Sequence, residues 1–316
     1  MPSSCGVRRI AFSRSSTSCA WISNNGRRTI YRPVFTPARD PGHSTISGGK
    51  TCRRSYFRSL SRREPTMRPA LIVSLILLIC LPLGAIEPGE KLHGFTLLEK
   101  RFVAEVNAEC LHFKHDRSGA RLFKIAADDP NKTFSIAFKT ICNTDAGTPH
   151  ILEHSVLNGS RDFPVKSPFD VLSKGSLNTF LNAMTGSDIT IYPVASMNMK
   201  DYFNLMHVYL DAVFNPLIYD DPMIFKQEGW HHHLEDPASE ISYKGVVYNE
   251  MKGAFSSPGR EMYYQTKRRM YPDTPYRYSS GGYPFAIPTL TYDSFLDFHR
   301  TFYHPENSYI LLYGDA

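Results

Sequence analysis

The chain has 316 residues, 42% of them hydrophobic and 21% charged, which suffices for one large or two modest cored domains and excludes a disordered polymer. Its formal charge of +6 is unevenly placed: residues 1–66 carry 13 Lys and Arg against 2 Asp and Glu, and residues 67–316 carry 23 against 28. The basicity belongs to the start, so net charge gives the remainder no electrostatic footprint for nucleic acid.

Residues 1–66 are rich in Ser, Thr, Gly and Arg and lack an apolar period, so they are expected not to pack. Two readings of this leader compete. An Arg/Ser-rich, acid-poor start resembles a transit segment addressed to the mitochondrial matrix or another organelle. Met67, Arg68 and the apolar run from Ala70 to Leu83 resemble instead a secretory signal over residues 67–85, with translation from Met67 and a secreted or periplasmic product starting near Ile86. The second reading is favoured, and residues 1–66 are then an over-extended start. The apolar run falls short of the roughly 20 residues a membrane helix needs, so no stable span is expected in the mature form.

Beyond that run, residues 86–316 read as one domain. Alternation and turn residues predict strands at Glu105–His115, Arg121–Ala126 and Phe134–Thr140, with a turn at Asp116–Gly119. Thr148 as N-cap and Pro149 as first helical residue predict a helix from His150 towards Leu157, stopped by Asn158 and Gly159. Ser167 and Pro168 open a second helix, with Asp170 favourable in its first turn. Met199–Phe214 reads as a helix apolar over most of its circumference, hence buried. Strand patterns return at Asn178–Ala183 and Thr190–Val194. Helices are expected at Val246–Phe255 and, behind a Thr291 cap, at Tyr292–Phe302, with a core strand at Ser308–Tyr313. Sheet and helix mixed in one unit make the class α+β, a mixed, mainly antiparallel sheet with helices packed on it. The chain stops directly after its last strand, which reads as a fragment of something longer.

The chemistry concentrates in the pentapeptide His150-Ile151-Leu152-Glu153-His154. Two histidines four apart on a helix project from one face about a turn apart, which suits two imidazoles on one Zn²⁺. Glu153 beside them has the place of a carboxylate that deprotonates water while standing off the metal. The order is HxxEH, the inverse of HExxH. Three specified positions are a weak pattern alone, and histidines merely lining a helix fit them as well. His231, His232 and His233 resemble a metal run, but successive strand residues alternate faces and do not converge on one ion. The Ser279–Tyr283 loop lacks the lysine of a phosphate cradle and reads as a turn. Of six cysteines only Cys110 and Cys142 lie in the folded part; without CxxC spacing they read as buried free thiols in preference to a bridge.

The sequence around the pentapeptide resembles the start of the pitrilysin (insulinase) family of metallopeptidases, particularly its presequence protease branch. The matching stretches are GTPHILEHSVLNGS at 147–160, KSPFDVLSKGSLNTFLNAMT at 166–185, YPVAS at 192–196, DYFNLMHVYLDAVFNPL at 201–217, QEGWHHHLE at 227–235, YKGVVYNEMKGAFSSP at 243–258, and SGGYP followed by TLTYDSFLDFHRTFYHPENS. That resemblance implies one Zn²⁺ per chain held by His150, His154 and, in an NEMKG helix, Glu250, with Glu153 as general base. It also implies that Leu181, Asn182 and Ala183 belong to an edge strand on which a peptide or unfolded polypeptide adds as a further strand. This chain has Met184 where relatives often have Phe. The function implied is a zinc metalloendopeptidase, with a homologous C-terminal half missing from this chain. The alternative is a non-catalytic scaffold of the same fold; such relatives typically lose motif residues, and here all four are present.

Overall fold

The computed structural model describes residues 86–316. The Arg/Ser-rich leader and the signal-like segment lie outside the described residues. The described part is built on a sheet of β1 (Lys91–Leu92), β2 (Phe95–Val103), β3 (Ala108–His115), β4 (Arg121–Ala126), β5 (Lys132–Lys139), β6 (Asn178–Leu181), β7 (Met184–Thr185), β8 (Ile189–Ser196) and β11 (Ser308–Tyr313). Its order is β1-β2-β3-β4-β11-β5-β8-β6, with β7 also on β8. The β4–β11 pair is parallel and β11 runs antiparallel to β5, as do the other neighbours along the sheet. A separate hairpin pairs β9 (His231–His233) with β10 (Ser242–Lys244).

The helices are α1 (Thr148–Val156), α2 (Pro168–Gly175), α3 (Met199–Phe214), α4 (Pro222–Glu228), α5 (Val246–Ala254), α6 (Pro258–Met270) and α7 (Tyr292–Phe302). Helix and mainly antiparallel sheet in one unit give the expected α+β class. The core joins Phe134, Ile136, Phe138, Tyr192 and Val194 of the central strands to Ile151, Leu152 and Val156 of α1 and to Tyr202, Leu205, Met206, Tyr209 and Val213 of α3. Each large apolar side chain fully removed from water contributes about 1.5–3 kcal/mol to this packing. The apolar circumference read for α3 is therefore explained by burial. That helix starts on Asn198, whose side chain accepts from the Asp201 amide, and stops at Asn215 before Pro216.

Several boundaries differ from the sequence reading. The first strand begins at Ala108 and not at Glu105, because the chain turns through Asn107 at φ 47°. Helix α1 is capped by Gly147 at φ 71°, one residue earlier than expected, so Thr148 and Pro149 are its first helical residues. A Cβ on Gly147 would stand 2.7 Å from the Gly282 Cα, so only glycine fits both the left-handed backbone and the close approach. The strand read over 178–183 is interrupted: β6 ends at Leu181, β7 resumes at Met184, and both lie on the same edge of β8. The helices at α4 and α6 and the strand β2 were not anticipated. In α6 the sequence PGREMYYQTKRRM buries only Tyr264, so no apolar stripe announces it.

Candidate functional site

Helix α1 carries the pentapeptide with its apolar residues Ile151 and Leu152 turned into the core, which leaves His150 and His154 on the opposite, partly open side. Their rings stand 4.9 Å apart between centroids, nearly perpendicular at 82°. Both Nε2 atoms point to one oxygen: His150 Nε2 lies 3.7 Å and His154 Nε2 3.9 Å from Glu250 Oε2. Glu250 arrives from α5, and the three donor atoms lie within 4.8 Å of one another.

The other ring nitrogens are engaged, which settles which atoms are presented. His150 Nδ1 is 3.2 Å from the Gly281 carbonyl. A carbonyl only accepts, so this nitrogen carries the proton and Nε2 offers a lone pair. His154 Nδ1 lies 3.4 Å from Oε2 of Glu228, the last residue of α4, buried at 5% exposure. Burial pushes the His154 imidazole down, but the bond to Glu228 and the charges of Glu153, Glu228 and Glu250 outweigh it and hold its pKa above the ordinary histidine value.

Local backbone explains how the two glutamates meet the histidines. Gly229 ends α4, and Gly245 caps α5 at φ 155°. A Cβ on Gly245 would fall 2.2 Å from the Gly229 carbonyl oxygen. The Tyr248 amide donates to that same carbonyl at 3.3 Å. Glycine at both positions thus sets the end of the Glu228 helix against the start of the Glu250 helix. On the far side, the Ser279–Tyr283 loop is a turn, as expected, and Gly281 in it approaches Met251 of α5 as well as His150. Glu228 escaped the sequence reading although QEGWHHHLE was noted; its signal was a carboxylate at the end of a short helix, indistinguishable there from a solvated acid.

The donor set fits a zinc ion chemically. Two neutral imidazoles with their Nδ1 atoms occupied and one carboxylate leave a position open on a four-coordinate ion, and donor separations of about 3.3 Å expected for tetrahedral Zn²⁺ are close to the 3.7 and 3.9 Å found. Among the described residues this is the one cluster of three such side chains. His231 and His233 face other partners, the Lys226 carbonyl at 2.8 Å and Glu235 at 3.1 Å. Cys110 and Cys142 are buried and unpaired; burial pushes the Cys142 thiol up to about 11.

Glu153 is 8% exposed and its Oε2 accepts a short hydrogen bond from Thr185 Oγ1 on β7. It lines, with His154, a cavity of about 460 Å³ whose further walls include Asn182, Ala183, Phe169 and Glu228. Leu181 is the final residue of the edge strand β6, outside that lining. Asn182 and Ala183 fall in the break between β6 and β7, where the Asn182 amide still bonds the Pro193 carbonyl of β8 at 3.2 Å and its own carbonyl accepts from Tyr209 at 3.2 Å. The unpaired edge of the sheet thus runs directly up to the Glu153 carboxylate.

No family model matches the chain. It is similar to a protein named HypA from Clostridium perfringens, 56% identical over 223 residues, covering 71% of this chain and 23% of that protein. Presequence protease 1, chloroplastic/mitochondrial, from Arabidopsis thaliana is 49% identical over 304 residues, 95% of this chain and 27% of that protein. The chain therefore spans about a quarter of the length of these relatives. In fold it is similar to the crystal structure of pitrilysin, at TM-score 0.54 and 17% identity over 71% of this chain and 23% of the other.

Proposed function

Because this chain belongs to the pitrilysin (insulinase) family, in its presequence protease branch, we propose that it carries the catalytic zinc site of a metalloendopeptidase acting on unfolded peptides. The observation that supports this most is the convergence of the His150 and His154 Nε2 atoms on Glu250, with the buried Glu153 alongside. In this reading His150, His154 and Glu250 hold Zn²⁺. When bound, the ion supplies Lewis acidity towards the peptide carbonyl and lowers the pKa of water.

The chain's own residues do the rest. Glu153 takes a proton from the attacking water and passes it to the leaving amine, two transfers that need one carboxylate within hydrogen-bond reach of both. Thr185 fixes the Glu153 rotamer by donating to Oε2, which leaves Oε1 for the proton. Glu228 and the Gly281 carbonyl keep both imidazoles in the tautomer that offers Nε2. The substrate adds as a strand to the β6–β7 edge, with Leu181, Asn182 and Ala183 guiding its backbone. Main-chain bonding of that kind makes recognition depend on extended conformation more than on sequence. A scaffold would have no use for a buried carboxylate beside three metal donors.

The C-terminal half of a longer protein, homologous to the half of which this chain forms part, would close over the peptide. The compartments in the names of the presequence protease relatives, and an Arabidopsis match extending well into residues 1–66, favour an organelle address over export through Met67. We divide the chain accordingly into a leader over 1–66, an apolar segment over 67–85 and the metallopeptidase domain over 86–316. The ligand assignment is tested by zinc content of the purified full-length gene product: Glu250→Gln loses the stoichiometric ion that the parent keeps, whereas a normal content would reassign the third ligand.

A further inference from the structure

A second cavity, of about 210 Å³, touches the site through Thr185, which bonds Glu153, and Gly281, which bonds His150. One wall is helix α6. Arg260, Tyr263, Tyr264 and Lys267 stand on it at i, i+3, i+4 and i+7, hence on one face, and all four line the cavity. Hydroxyls complete the lining, among them Ser187 and Ser280, and no carboxylate does.

Both cations are held in place without being neutralised. The Arg260 guanidinium lies 5.6 Å above the Phe255 ring. Lys267 Nζ lies 5.7 Å from the Tyr263 ring centroid and 3.3 Å from Ser187 Oγ. Ring contact orients a cation and leaves its N–H donors available, and neither side chain has a carboxylate partner among the described residues. The neighbouring acids are committed elsewhere: Asp145 to Arg268 and the Ser279 amide, each at 2.8 Å, and Asp188 to the Tyr276 hydroxyl at 2.8 Å. The result is a small, polar, doubly cationic recess, beside the proposed cleavage point, with donors on several sides and no anion of its own.

We infer that this recess, lined by Arg260 and Lys267, is a subsite for a carboxylate of the bound peptide, either an acidic side chain or the C-terminal carboxylate. The inference rests on the peptidase reading, since that reading supplies the peptide. The volume admits a carboxylate with its adjoining methylenes, and two cations on one helix face with surrounding hydroxyls offer donors to its lone pairs. An edge strand that binds backbone gives no sequence preference, so a charged recess beside it provides a position at which one substrate residue is selected.

The test uses the full-length gene product carrying Glu153→Gln, so that bound peptide is not consumed, and measures fluorescence anisotropy with matched labelled peptides. One pair differs only in a C-terminal carboxylate against an amide; a second series scans Glu against Gln along the peptide. A carboxylate-bearing peptide is expected to bind about five- to tenfold tighter than its neutral twin at low salt, with the advantage shrinking at 0.5 M salt. Arg260→Gln with Lys267→Gln removes the preference, and Arg260→Glu with Lys267→Glu reverses it. Which pair shows the effect identifies the source of the carboxylate. Equal binding of every charged and neutral twin, or a preference that survives the double substitution, overturns the inference. The two readings separate cleanly: a Glu153-intact protein that cleaves a neutral peptide while twins bind equally keeps the peptidase and loses the subsite. Charge-selective binding with no cleavage keeps the subsite and loses the peptidase.

Discussion

Replacing Glu228 tests whether the buried carboxylate behind His154 belongs to the metal site. Its Oε2 lies 3.4 Å from His154 Nδ1, and its side chain is 7% exposed against 27% for His154, so the carboxylate is shielded while the imidazole is screened in part. Carboxylates that orient a ligating histidine typically contribute 10- to 100-fold in metal affinity. Glu228→Gln keeps the shape and the possible hydrogen bond while removing the charge, so we expect zinc affinity at pH 7.5 to fall about tenfold; Glu228→Ala also loses orientation and falls towards the hundredfold end. The sign of the pH dependence distinguishes this from general damage. Glu228 is among the groups that hold the His154 pKa up, so its loss lets a proton compete less well with the metal. The gap between parent and Glu228→Gln should therefore narrow as pH falls towards 6. Competition against a zinc-chelating dye at both pH values measures it. An affinity unchanged within twofold in both variants, or a gap that widens in acid, would refute the reasoning.

Two further predictions concern the scaffold that sets the site. Gly245→Ala drives a Cβ to 2.2 Å from the Gly229 carbonyl, which is backbone and cannot swing away, so a loss of at least about 2 kcal/mol and a drop in zinc content are expected together; a thermal midpoint and metal content equal to the parent would contradict this. His299 is buried between α7 and α3, its Nε2–H donating to the Val213 carbonyl at 3.0 Å and its Nδ1 accepting from Tyr219 at 2.7 Å. Burial pushes its pKa down to about 4. A depressed folded value means that the unfolded chain takes up a proton the folded chain refuses between pH 6.5 and 4, so stability falls as pH drops through that window, by about 2 kcal/mol at pH 5. Urea midpoints at pH 7.5 and 5.0 check it, and His299→Gln should show much less of that acid sensitivity.

Much of the fold was legible because burial and period agree locally. Helix α3 and strands β4 and β11 follow from apolar spacing, and the ends of α3 and β11 fall at punctuating Asn and Gly residues. Helix α6 was hidden because it presents cations and tyrosines to a polar recess and needs no apolar stripe. The candidate site divides in the same way. His150, Glu153 and His154 are legible because a local turn of helix brings them together. Glu250 was found only through resemblance, and Glu228 not at all, because their proximity to the histidines depends on two glycines, Gly229 and Gly245, meeting across a hairpin far from the motif. No local periodicity encodes such a meeting. The break at Asn182 was missed for a related reason: β6 and β7 share one partner strand, to which the Asn182 amide still bonds, so alternation continues through the interruption.

The central claim is that Glu153 moves the proton while three other side chains hold the metal. The most direct measurement is zinc content and cleavage of a quenched unfolded peptide by the full-length gene product, parent against Glu153→Gln. The account predicts one zinc per chain in both, with cleavage lower in the variant by about 10²–10⁴-fold, the usual contribution of a positioned general base. A variant that keeps both its zinc and parental cleavage would contradict it.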